Sequence, residues 1–150
     1  MITVLAVPAM ILAAGLVVDA GAVIWAKAVA QSAADLAALA AVQEIDLDRL
    51  ASGERWLVEP DAMKRAVDVA RDNLARGGGA LGAESAVVRV RVFNMSEGET
   101  ERHHGDGRLL RDPTVCVTVE VRPRLVFLSP LKKPETITAH ADASVVARRK

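Results

Sequence analysis

The chain is 150 residues long, with 19 basic and 19 acidic residues and a formal net charge of zero. That length holds one domain plus an appendage, and the even balance offers no charge excess to recruit nucleic acid or an acidic substrate. Only 3% of residues are aromatic, with no tyrosine, and Cys116 is the single cysteine; base stacking, an aromatic ligand cage and an intrachain disulfide are therefore not expected.

Residues 1–18 carry no charge and, apart from Thr3, Pro8 and Gly15, are aliphatic, methionine or alanine. As a helix they rise roughly 27 Å, close to the hydrocarbon thickness of a bilayer. Asp19 then falls near an interface, and Trp25 and Lys27 are an aromatic and a base of the kind found at headgroup level. There is no positive segment ahead of the apolar run, and the helical pattern continues past it. Both features favour a span over a cleaved secretory signal.

From Ala20 to Val42, 11 of 23 residues are alanine, with no glycine after Gly21 and no proline. Alanine is the best helix former, so this stretch stays helical without lipid. Lys27, Gln31 and Asp35 recur every four residues and share one face, while Val29, Leu36 and the alanines give a smooth opposite side. Small residues let helix backbones approach closely. The predicted helix, Ile2 to about Gln43, is roughly 60 Å long. That length suits a bundle of identical helices better than a lone soluble domain. Glu44, Asp46, Asp48 and then Ser52-Gly53 interrupt the pattern. Acids oppose the dipole of a helix C-terminus, so a boundary is expected between Ile45 and Gly53. The expected organisation is an N-terminal helix over 1–44, a linker over 45–58 and a globular head over 59–150.

EPDAMKRAVDVARDNLARGGG, residues 59 to 79, is a second helix. Pro60 suits a first helical position and Asp61 the first turn. Met63, Val67, Ala70 and Leu74 form the predicted apolar stripe, and Gly77-Gly78-Gly79 supplies a left-handed C-terminal cap. Thereafter the period changes to two. AVVRVRVF (86–93), VCVTVEV (115–121) and TITAHADASVV (136–146) read as strands with one buried face, the last presenting Ile137, Ala139, Ala141, Ala143 and Val145 together. NMSEGETERHHGDGRLLRDP (94–113) reads as a polar loop at a hairpin tip. Leu125 to Leu128, between Pro123 and Pro130, reads as an edge strand or an extended segment. The expected fold class is α+β: a long N-terminal hydrophobic helix, then a small head of one helix packed on a three- to four-stranded antiparallel sheet.

No catalytic, cofactor or metal site is expected, and no enzymatic activity. His103-His104 beside Glu101 and Asp106 read as a solvated loop, because adjacent residues rarely point at one ion. Cys116 and His140 read as a half-buried cysteine and a surface histidine. The glycine run follows no strand and precedes no Lys-Ser/Thr, so it is not a phosphate cradle. Arg148, Arg149 and Lys150 read as a solubilising tail. Asp19 admits two readings. It is an interfacial acid in reach of water, or it pairs with a cation on a neighbouring helix, Lys27 or a free α-amino group.

Gly15-Leu16, Asp19 and Gly21, then Lys27, Gln31, Ala34-Asp35 and Ala37-Ala38-Leu39-Ala40 follow an apolar, proline-containing span. Over Ile2 to Val42 this pattern resembles the N-terminal segment of TadE/TadG-like pilin-related proteins of tight-adherence (Tad) pilus systems. The remainder agrees in layout only, a helix and then alternating strands ending in Ile137-x-Ala139-x-Ala141. The resemblance implies a structural, type IV pilin-like subunit, with the membrane and then a cell-surface filament as its stations. Its implied partners are copies of itself in a helical filament, other pilus subunits, the inner-membrane assembly machinery and a prepilin peptidase. Removal of a basic leader by that peptidase would make Met1 the first mature residue. Pilins of this kind carry a glutamate at the fifth mature position, where this chain has Leu5, and Asp19 becomes a candidate substitute on an adjacent subunit. The residues expected in assembly and helix packing are Met1, Gly15, Asp19, Gly21, Lys27, Gln31, Asp35, Leu36 and Leu39. The alternative is a membrane-anchored accessory factor that does not polymerise.

Overall fold

A computed structural model describes residues 2–78, 83–96, 98–103, 107–127 and 135–146, with the side chains of the first helix given from Ala6 onward. Helix α1 (Ile2–Ala41) is one 40-residue rod. Pro8 removes a rung of its ladder near the N-terminus, where few turns precede it. The rod has two halves with different jobs. Between Val7 and Trp25 large apolar side chains are exposed around most of the rod, with Gly15 and Asp19 buried on one side, whereas from Ala26 onward one face is buried through Ala30, Ala33, Ala34, Ala37, Ala38 and Ala41. That spacing of three and four residues is the period of a helix face.

Helix α1 ends at Ala41, and the acids beyond it serve a new element. Asp46 accepts hydrogen bonds from the N–H groups of Asp48 and Arg49, both at 3.1 Å, and so caps the short helix α2 (Leu47–Ala51). Acids that would oppose the end of one helix thus favour the start of the next. The chain then turns back. Ile45 bridges to Leu57, and Asn94 grips Leu57 at both ends, accepting from its N–H at 2.8 Å and donating to its carbonyl at 3.0 Å.

Helix α3 (Glu59–Arg76) carries Pro60 and two acids in its first turn and ends at Gly77, followed by Gly78 with a φ of +82°. Its buried stripe is Ala62, Ala66, Ala70 and Leu74, whereas Met63 is exposed and Val67 half-buried. Ala70 and Leu74 stand on the stripe as predicted, but in the first half the prediction chose the bulkier neighbours Met63 and Val67. The structure chooses alanine because α3 faces the alanine stripe of α1, and two such surfaces let the helices lie close. For the same reason Leu36 does not join the alanine side as expected. It lies outside the run 33-34-37-38 and faces outward, 45% exposed.

After a 3-10 turn at Ala83–Ser85 come β1 (Val87–Phe93), β2 (Glu101–Arg102), β3 (Leu109–Leu110), β4 (Thr114–Val121) and β5 (Ile137–Ser144). Strands β1, β4 and β5 form an antiparallel sheet with β4 at its centre. Val115, Val117, Val119 and Val121 of β4, with Ala139 and Ala143 of β5, turn one face onto α1 and α3 to make a single core. The described residues of the polar segment 94–113 carry more structure than its composition predicts. Strands β2 and β3 pair within it, and Phe93, Met95 and Leu110 bury together against Cys116. The α+β class, the long helix and the three-stranded sheet agree with the sequence reading. The stretch from Leu125 onward forms no strand up to Phe127, and Leu128 lies outside the described residues.

Candidate assembly surface

The lower half of α1 is fastened to its own head. The alanine stripe is consumed by α3 and the sheet. Gln31 Nε2 adds polar ties, donating to Asp35 Oδ1 at 2.9 Å and to the His140 carbonyl of β5 at 2.8 Å. Trp25 Nε1 donates to the Gly77 carbonyl at 3.4 Å, which joins the waist of the rod to the end of α3. What remains outward is Lys27, Asp35, Leu36 and Leu39, the last 55% exposed. A Cβ added at Gly21 would meet nothing within 4 Å, so this glycine is open surface. Met1 lies outside the described residues.

Asp19 has a place that neither sequence reading anticipated. It is 1% exposed, and both carboxylate oxygens accept hydrogen bonds from its own chain. The Val126 N–H donates to Oδ1 at 2.8 Å and the Phe127 N–H to Oδ2 at 3.0 Å. Asp19 is therefore no water-facing interfacial acid. A buried carboxylate needs donors, and these two backbone amides supply charge-assisted bonds, one to each oxygen. One helical turn above, the Phe127 ring lies over Gly15. A Cβ built there would stand 2.6 Å from Phe127 Cγ, closer than real contacts allow. Gly15 is small because an aromatic ring from 112 residues away occupies its side-chain space. The clasp leaves Val126 69% and Phe127 45% exposed on its outer side, beside the apolar rod.

The residues weighed for chemistry are redistributed. Glu101 is exposed on β2, while His104 and Asp106 lie outside the described residues. His103 Nε2 approaches Asp142 Oδ1 at 3.4 Å. His140 Nδ1 meets Thr118 Oγ1 at 3.0 Å rather than Cys116, which stands opposite Asp142 across β4 and β5. Sequence reasoning missed both this convergence and the partners of Asp19. Each joins segments with no local pattern in common.

Helix α1 is, by length and composition, able to cross a membrane. A family model described as "Putative Flp pilus-assembly TadE/G-like" matches residues 1–44. No curated protein and no solved structure matches the chain. The match begins and ends almost where the resemblance was read from Gly15, Asp19 and the alanine-rich tail. Over these N-terminal residues, less than a third of its length, the chain is similar to TadE/TadG-like, Tad pilus-related proteins.

Proposed function

We propose that this chain is a structural, non-enzymatic pilin-like subunit of a Tad-type extracellular filament, assembled by bundling of its N-terminal helices. In this reading it is held in the bacterial inner membrane until the assembly machinery extracts it. A prepilin peptidase acts beforehand, and its companions are copies of itself and other pilus subunits. The observation that carries the reading is the upper rod, whose large apolar side chains from Val7 to Trp25 lie exposed on every side but the one clasped at Gly15 and Asp19, within the segment that matches the pilus family. A helix with so wide an apolar surface is stable only when that surface is covered, first by lipid and then by sister helices. Each Å² withdrawn from water in such a bundle contributes roughly 25 cal/mol towards holding a polymer without covalent links. Leu36 and Leu39, exposed on the outer side of the lower rod, extend that apolar surface below the span.

A second reading, an anchored accessory factor that does not polymerise, is favoured by one specific finding. Asp19 and the alanine stripe are both engaged by the same chain, so rod and head make a unit without a neighbour. Negative-stain microscopy of surface-sheared and purified material separates the two. Fibres containing this chain support the subunit; detergent-bound monomers with no fibres support the accessory factor.

A further inference from the structure

The sheet face turned away from α1 and α3 carries Cys116 and Asp142, which are direct cross-strand partners on β4 and β5. Such partners have Cβ atoms about 4.5–5.5 Å apart, near enough for two short side chains to share one ligand. His103, just beyond β2, is brought over them by the small second sheet, its ring tilted against Phe93 with centroids 6.5 Å apart. One donor atom each from His103, Cys116 and Asp142 lies within 4.8 Å of the others. Tetrahedral zinc, with bonds of about 2.0–2.3 Å, places its donors roughly 3.3–3.8 Å apart. Small side-chain rotations close that difference.

We propose that His103, Cys116 and Asp142 form a three-ligand zinc site, with water in the fourth position. The donor set selects the metal. A thiolate and an imidazole suit zinc and reject magnesium and calcium, which take oxygen donors. Thiolate and carboxylate together neutralise the charge of Zn²⁺. Arg108 Nη2 holds Asp142 Oδ2 at 3.0 Å, which leaves Oδ1 turned towards His103 Nε2. An outer partner that fixes a ligand's orientation is a regular feature of built metal sites. The fourth position opens on a cavity of about 440 Å³ bordered by Thr118 and His140. Arg89 and Arg91 also border it and oppose a cation, although Arg89 is itself paired with Glu120. On binding, the Cys116 thiol loses its proton to solvent and the imidazole binds neutral; no electron moves. An ion pair between His103 and Asp142 needs a protonated ring, so ion pair and metal exclude one another. The site's role is a pin, fixing the β2–β3 hairpin to the sheet and covering the chain's single thiol. It stands independently of the pilus reading.

The test uses the full chain without an affinity tag, in detergent, stripped of metal by a chelator and titrated with Co²⁺. The expected result is one equivalent bound, with a thiolate-to-cobalt charge-transfer absorption that Zn²⁺ abolishes. Cys116→Ser and His103→Ala should remove the absorption, Asp142→Asn should weaken binding at least tenfold, and His140→Ala should leave it unchanged. Variants are compared by far-UV circular dichroism. In the unmutated chain, zinc should slow alkylation of Cys116 at least tenfold, a readout that needs no variant. Absence of the thiolate absorption at millimolar Co²⁺, or unslowed alkylation under zinc, overturns the site. So does Co²⁺ affinity that survives Cys116→Ser.

Discussion

Replacing Asp19 with asparagine tests the clasp with little change of shape. The carboxylate takes two backbone N–H groups, one on each oxygen, at 2.8 and 3.0 Å. Asparagine keeps one acceptor and turns an NH₂ towards the other amide. The retained bond falls from a charge-assisted to a neutral one, a loss of about 1 kcal/mol, and the orphaned amide costs about 1–3 kcal/mol more. The sum, roughly 2–4 kcal/mol, falls on the loop rather than on the core, because Val126 and Phe127 lie outside both buried clusters. Hydrogen exchange of the peptide spanning 120–127, read by mass spectrometry in detergent, should therefore accelerate by roughly 30- to 1,000-fold at the tenfold-per-1.4 kcal/mol conversion. Exchange in β4 should hardly change. Unaltered exchange at 126–127, with the helix content of the parent, would refute the clasp.

Further outcomes follow from the same contacts. Gly15→Leu should expel the Phe127 ring, exposing the loop to protease while leaving the core of the head folded, as limited proteolysis will show. Ala66→Leu wedges α3 from α1 and should cost about 1–3 kcal/mol, measurable as a fall in thermal midpoint, because overpacked interfaces strain. Asn94→Ala leaves the Leu57 N–H and carbonyl without their shared partner and should destabilise by about 1–3 kcal/mol in the same assay. The double change Leu36→Ser with Leu39→Ser should alter the midpoint little, since both face outward, yet reduce fibre number in micrographs. Undiminished fibres would remove that face from the assembly surface.

The elements were legible where one period dominates. The apolar run and the alanines set the rod, and valine alternation set β4 with its inward residues. The packing partners were less so. On α3 hydrophobic size pointed to Met63 and Val67, but a helix facing alanine needs alanine, and that constraint is written in α1. Helix α1 ends at Ala41, earlier than the boundary expected between Ile45 and Gly53, because a charge near a helix end does not say which helix it belongs to. Asp19 was marked by its isolation in an apolar stretch, yet its donors are main-chain amides 107 and 108 residues away, and amides carry no residue identity to search for. Cys116, His103 and Asp142 sit on three segments whose convergence depends on strand register and on a two-residue sheet within a polar loop.

The height at which Phe127 meets the rod sets a waterline. Phe127 meets the rod at Gly15, one helical turn before Asp19 and inside the charge-free run that ends at Val18. In the proposed membrane-held state the tip of the 123–127 segment therefore lies beside the apolar run, with the exposed sides of Val126 and Phe127 turned towards acyl chains. Bare amides are inadmissible at that depth, and Asp19 is what clothes them. On the proposed pilus reading the head is thus seated in the leaflet like a stopper, not hung from it on a stalk, and extraction would lift rod and plug together.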